Sequence, residues 1–221
     1  MNRLLPLLVL PFLVLPLTLS VPVYAAETTP TAQPATAQTS TAKTATQVVQ
    51  GFYDALTVTM KEGETLGFEG RNKKLEAPVT AAFNLPLMAR YAIGTNWTKA
   101  TPEDQQKLAA AFSAFSVATY ASRFTKYDGE VFKVGNEKPS ANGGIMVETT
   151  LTPKGEQPVI LNYLLRADET GTPRIVDVYL DASISELATR RAEFTSVIKR
   201  EGLPSLISHL EEKTKKMATG K

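Results

Sequence analysis

The chain holds one histidine, His209, and no cysteine among its 221 residues. Thiolate chemistry is closed to it, and so is a metal site built from nitrogen and sulfur ligands. A Ser-His-Asp arrangement would rest wholly on His209. Its neighbour Ser208 lies in the same helical pattern, where adjacent side chains diverge, so the two are not a nucleophile and its base. The acid that stands out is Asp177, within the apolar run Ile175-Val176-Asp177-Val178-Tyr179. A carboxylate in a buried strand is either a general base with a raised pKa or a group satisfied by nearby backbone or by an arginine such as Arg191. No second acid or histidine is placed to complete a site around it. No phosphate-binding glycine loop, paired-carboxylate motif or EF-hand loop occurs. The residues thus assign no catalytic group, no metal ligand and no cofactor.

What the chain does offer in number is apolar and aromatic surface. Strand alternation gives one apolar and aromatic set, Ile145, Val147 and Leu151 with Val159, Leu161, Tyr163 and Leu165. A long helical pattern supplies Phe112, Phe115, Tyr120 and Phe124. A sheet closed over such a helix gives either a filled core or a cavity, and the pattern serves both. A cavity so lined suits an apolar ligand with little polar demand. Thr189-Arg190-Arg191 with Lys199-Arg200 is a basic stretch on one helix: a solvated face, or a surface for lipid headgroups or an acidic partner. Trp97, near Lys99, reads as a packing anchor.

These residues need elements to position them. Val48, Val49, Phe52, Leu56 and Met60 recur at helical spacing, and Gly63 and Gly67 interrupt that helix. Further helices are predicted over Leu75 to Phe83 and Leu85 to Ile93, the latter ending at Gly94. Thr101-Pro102-Glu103-Asp104 starts the long helix, with a capping threonine, a proline at the first position and acids in the first turn. Strands are predicted over Val131–Val134, Ile145–Leu151, Val159–Leu165 and Arg174–Leu180, separated by turn signals at Pro153-Lys154-Gly155 and Glu169 to Pro173. Ser183 with Glu186 fits a capping box for a helix to about Arg200. Gly202 stops it, and a last helix runs from Pro204 to Lys216. Helices, then a meander, then helices make an α+β pattern.

The N-terminus is separate in character. Met1 to Arg3 is a short basic start, Leu4 to Val23 is almost wholly apolar, and Val23-Tyr24-Ala25 fits a cleavage site. Residues 1–25 read as a signal peptide, because Pro6, Pro11, Pro16 and that site oppose a permanent membrane helix. Residues 26–46, rich in Thr, Ala, Gln and Pro, read as a disordered tether. Residues 47–217 are one domain. With 24 basic and 22 acidic side chains the charge is too balanced for a nucleic-acid partner. The leader and the lack of cysteine fit a soluble protein of the periplasm.

Several segments together resemble a known family. They are Leu87 to Gly94 with Asn96-Trp97, Ala100 to Gln106, Tyr120-Ala121-Ser122-Arg123-Phe124, Tyr127-Asp128-Gly129-Glu130, Ile175 to Leu180, and Ser183 to Phe194. The set resembles the MlaC-type periplasmic lipid-binding component of toluene-tolerance ABC transport systems over about residues 47 to 213. The run Ser185 to Arg191 points to its hopanoid-associated HpnM branch. Arg174 departs from the tryptophan frequent in relatives.

The resemblance implies an α+β, NTF2-like fold in which helices and a curved antiparallel sheet enclose an apolar cavity. It implies a non-enzymatic carrier of hopanoid or phospholipid, working between inner-membrane and outer-membrane complexes with transient membrane contact. Lipid-binding residues are expected at Phe115, Tyr120, Phe124, Val147, Leu161, Tyr163 and Tyr179. Two other readings stand beside it. One is an enzyme on a similar fold with Asp177 as base and Tyr163 or Tyr179 as acid. The other is a periplasmic interaction module with a filled interior.

Overall fold

The computed structural model describes residues 43–141 and 143–219. The expected signal peptide and most of the expected tether lie outside them. The described residues form an α+β domain: four helices, a five-stranded antiparallel meander in the order β1-β2-β3-β4-β5, then two helices. No helix among them is long and apolar enough to cross a membrane.

Helix α1 (Ala45–Lys61) begins within the stretch read as tether. Thr44 and Gln47 close a capping box there, Ala45 is buried, and the Thr46 hydroxyl donates to Glu137 at 2.7 Å. Helix α2 (Gly63–Ala82) is longer than the predicted Leu75–Phe83 and kinks at Gly67, whose φ of 60° is free only to glycine. Its first turns carry no apolar stripe. They are held by Arg71, 8% exposed, which donates to the carbonyls of Ala121 at 2.8 Å and Gly63 at 2.6 Å. Helix α3 (Leu85–Ile93) matches its prediction, capped by Asn84 and ended by Gly94. A 3-10 turn (Gly94–Lys99) leads to α4 (Pro102–Arg123), where Thr101 caps as expected.

Strands β1 (Val131–Pro139), β2 (Ile145–Thr152), β3 (Val159–Ala167) and β4 (Pro173–Leu180) follow. The short β5 (Ile184–Ser185) replaces the start of the expected helix. Asp181 and Ala182 make the tight turn before it, both at positive φ. Helix α5 (Glu186–Glu201) is therefore capped by Ser185 rather than by Ser183, and Gly202 separates it from α6 (Leu203–Thr219). The free edge of β4 is covered where Phe83 bridges Ile175 and the Asn84 N–H donates to the Ile175 carbonyl at 2.9 Å. Arg174 has a clear role in this packing. It pairs with Asp168 at 3.0 Å and donates to the Thr80 carbonyl, so a cation sits on the C-terminal end of α2.

Asp168 organises the β3–β4 turn. Its carboxylate accepts from the Thr170 hydroxyl (2.6 Å), the N–H groups of Thr170 and Thr172, and Arg174. These bonds, the Thr170 hydroxyl first, draw its pKa down to about 2. A folded pKa below the ordinary carboxylate value contributes stability at neutral pH that is lost on acidification. The expected result is a steep loss of melting temperature from about pH 4 toward pH 2 that Asp168→Asn flattens. Parallel acid profiles for the two proteins would refute it.

Candidate functional site

Three helices and the strands β1 and β3 bring aromatic side chains to the same interior space. Phe52 and Tyr53 come from α1, Phe83 from the end of α2, Tyr120 and Phe124 from the end of α4, Phe132 from β1 and Tyr163 from β3. Neighbouring ring centroids lie 4.9–6.4 Å apart. Contacts run from Phe132 to Phe124, Tyr120, Phe52, Tyr163, Tyr53 and back to Phe132, a closed circuit. Most are edge-on or tilted, as ring quadrupoles prefer. Phe52 is the hub, touching Tyr53, Phe83, Tyr120 and Tyr163.

The floor is the sheet. Val147 pairs with Tyr163 across β2 and β3, so the two share a face, and Leu161 lies two residues along on that face. The Tyr53 hydroxyl meets the Thr149 hydroxyl at 2.7 Å, and Thr149 donates to the Leu161 carbonyl. Burial pushes the Tyr53 phenol up to about 12, and it raises Tyr120 and Tyr163 as well. All three stay neutral at any physiological pH, so the lining is uncharged.

The expected residues divide. Tyr120, Phe124 and Tyr163 join the circuit, and Val147 and Leu161 flank it. Tyr179 does not. It pairs with Asn162, the neighbour of Tyr163, and so lies on the opposite face of the sheet. Phe115 is five residues before Tyr120, about 140° around the helix. It sits under the Arg190 guanidinium at 5.2 Å, on the α5 side. Sequence reasoning passed over Tyr53, Phe83 and Phe132 and placed Phe52 only on a helical stripe. Phe132 was open to detection, since Phe132 and Val134 alternate inward on β1.

One turn beyond Tyr120 the lining becomes charged. Arg123 and Glu186 both act on the Tyr120 hydroxyl electrostatically. Burial, then Arg190, lowers Arg123 from its ordinary value, and burial raises Glu186. Glu186 Oε1 is buried without a hydrogen bond among the described residues. Arg190 also pairs with Glu193 at 3.4 Å. The interior thus has a neutral aromatic body and a half-buried charged end.

Asp177 is not free to act as a base. It is 6% exposed, and its oxygens accept from the Val178 N–H (2.7 Å), the Ser185 hydroxyl (2.6 Å) and the Leu187 N–H (3.0 Å). It is a cap on α5 delivered from β4, satisfied by backbone and Ser185. Arg191 lies elsewhere, against Gly94. His209 is a half-exposed residue of α6, 3.3 Å from Glu201. The basic stretch of α5 is not one surface, because Arg190 and Arg191 diverge by about 100°.

A concavity of about 350 Å³ lies apart from these rings, between α3, the 3-10 turn and α5, lined by Arg90, Tyr91, Gly94, Trp97 and Arg191 among others.

The fold is similar to a solved phospholipid-binding protein from Ralstonia solanacearum, determined in complex with a phospholipid. The TM-score is 0.68 at 22% identity, covering 79% of this chain and 98% of that one. The family model described as MlaC protein matches residues 50–212, which include every ring of the circuit and the charged end. The chain belongs to the MlaC family, a non-enzymatic family.

Proposed function

We propose that the protein is a periplasmic lipid carrier whose aromatic circuit parts to receive a lipid tail. The observation that carries this is the circuit itself: six neutral rings from α1, α4, β1 and β3 close on one another, with Phe83 from the end of α2 packed against them, beside a half-buried charged end. A carrier must take a tail out of water, at about 0.8 kcal/mol for each CH₂ buried. Phenols that stay protonated and phenyl rings do this without a charge to desolvate. Edge-on ring contacts are individually weak, so a tail that replaces them loses little. The rings take the apolar part, and Arg123, Arg190 and Glu186 meet the polar end.

The cargo is a phospholipid on the likeness to the Ralstonia protein. The run Ser185 to Arg191 is the one feature that favours a hopanoid instead. Delivery runs between an inner-membrane and an outer-membrane complex, in keeping with the leader at residues 1–25.

The test is native mass spectrometry of the protein purified from the periplasm, with extraction of bound lipid. The expected result is one lipid per chain, and its headgroup and tails separate phospholipid from hopanoid. A protein that stays empty, and unchanged in melting temperature with either lipid added, would replace the carrier by the interaction module with a filled interior.

A further inference from the structure

We propose that the cleft between α3, the 3-10 turn and α5 binds a phosphate-type oxyanion, at a site distinct from the aromatic circuit. Two guanidinium groups reach it, Arg90 from the last turn of α3 and Arg191 from α5. Among the described residues neither forms an ion pair, whereas Arg174, Arg190 and Arg200 each do. The cleft lining holds no acid. Two positive charges therefore face one concave space uncompensated, which focuses an attractive field for an anion.

The seat of Arg191 is built into the backbone. Gly94 has φ 54° and ψ −126°, a conformation open to glycine and strained for other residues. A Cβ there would lie 2.6 Å from Arg191 Nη2 and 2.9 Å from its Cζ. Glycine is thus required twice, by the turn and by the guanidinium resting on it. The competing role for Arg191 would be to neutralise the C-terminal carbonyls of α3. Those of Arg90 and Tyr91 are taken by the Gly94 N–H, and Arg191 donates to no described residue. Its donors remain for a ligand.

The walls fit the same ligand. Tyr91 lies under the Arg166 guanidinium at 6.0 Å and accepts from it at 3.3 Å, which brings a third cation beside the cleft. Trp97 forms part of the lining. A carboxylate occupies one arginine fork. A phosphate, with more oxygens and more charge, engages two forks from different elements at once. The phosphate comes either from a soluble phosphoester or from a lipid headgroup at a membrane surface, where an aromatic and arginines are also favoured.

Trp97 is the only tryptophan of the chain, so its emission reports the cleft directly. The purified protein is titrated with inorganic phosphate, with glycerol 1-phosphate, and with vesicles of phosphatidylglycerol or phosphatidylcholine. The expected result is a saturable change in emission that weakens with salt. It weakens about tenfold or more in Arg90→Gln and in Arg191→Gln, and is kept in Arg200→Gln on the same helix. A response to the soluble phosphates assigns a phosphoester ligand, and one to phosphatidylglycerol vesicles alone assigns the headgroup. Three results would each overturn the site: no saturable change with any probe, an equal change with phosphatidylcholine, or an undiminished change in the Arg90→Gln Arg191→Gln double variant. Both arginines are exposed. Thermal melts of each variant show that a lost response is not lost folding. The outcome is independent of whether the interior carries lipid.

Discussion

Replacing Asp177 by alanine will lower the stability of the fold by about 3 kcal/mol, a fall of roughly 6–12 °C in melting temperature for a domain of this size. The carboxylate is buried and fully engaged by Val178, Ser185 and Leu187. Alanine leaves the Ser185 O–H donor and the Leu187 N–H without their acceptor at the half-buried start of α5. Each unpaired buried group costs about 1–3 kcal/mol. It also removes a negative charge from the positive end of the α5 dipole. Asparagine keeps one accepting oxygen and one cap, so Asp177→Asn should lose about half as much. Hydrogen exchange localises the effect, with the amides of Leu187 and Ala188 losing protection before the sheet does. A catalytic base would behave in the opposite way, since neutralising it removes turnover and commonly spares stability. A variant melting within about a degree of the parent would show that the cap is not what Asp177 contributes.

That cap also shows where sequence reading stops. Asp177 in an apolar strand was conspicuous, and backbone satisfaction was one of its two readings. Its partners Ser185 and Leu187 lie beyond a turn, in and after a two-residue strand, so only the β4–β5 register brings them near. The same distinction holds elsewhere. Helix α3 was legible to the residue because its cap, period and terminating Gly94 are all local signals. Strand β1 was cut short at Val134, where a bulge before Glu137 breaks the alternation and the exposed edge becomes charged. The first turns of α2 were lost between Gly63 and Gly67, since Arg71 holds them through the Gly63 carbonyl and the Ala121 carbonyl, the latter 50 residues away in the chain.

The site follows the same rule. Alternation put Tyr163 on a definite face of its strand, and Tyr179 was expected beside it from the resemblance. Which faces coincide depends on the pairing of Asn162 with Tyr179, a relation between strands that no single strand encodes. Arg190 and Arg191 read as one basic patch, yet α5 packs so that one covers Phe115 and the other rests on Gly94. The aromatic residues at the end of α4 were legible because Tyr120 and Phe124 are one helical turn apart. The rings they meet, Tyr53, Phe83 and Phe132, are brought by three other elements.

Replacing Phe52 by alanine will cost the lipid-free protein about 3–5 kcal/mol, and added phospholipid will return much of it. Phe52 is 2% exposed and touches four other rings, so its loss removes transfer energy and opens a void at the hub of the circuit. In a filled core that void stays empty, and the penalty is the same with or without lipid. In a carrier the rings must separate before a tail enters, and the free energy of separating them is subtracted from binding. Removing Phe52 lowers that cost, so the variant should bind lipid more tightly than the parent while being less stable without it. Lipid at about a hundred times its Kd stabilises by about 2.7 kcal/mol, enough to see by calorimetry. Phe194→Ala is the control. Phe194 is 1% exposed and packs edge-on against Phe112 between α4 and α5, outside the circuit. It should lose a similar amount, with lipid giving it no more than the parent's own gain. Equal lipid shifts in the parent, Phe52→Ala and Phe194→Ala would mean that the circuit is plain core and that the lipid binds elsewhere.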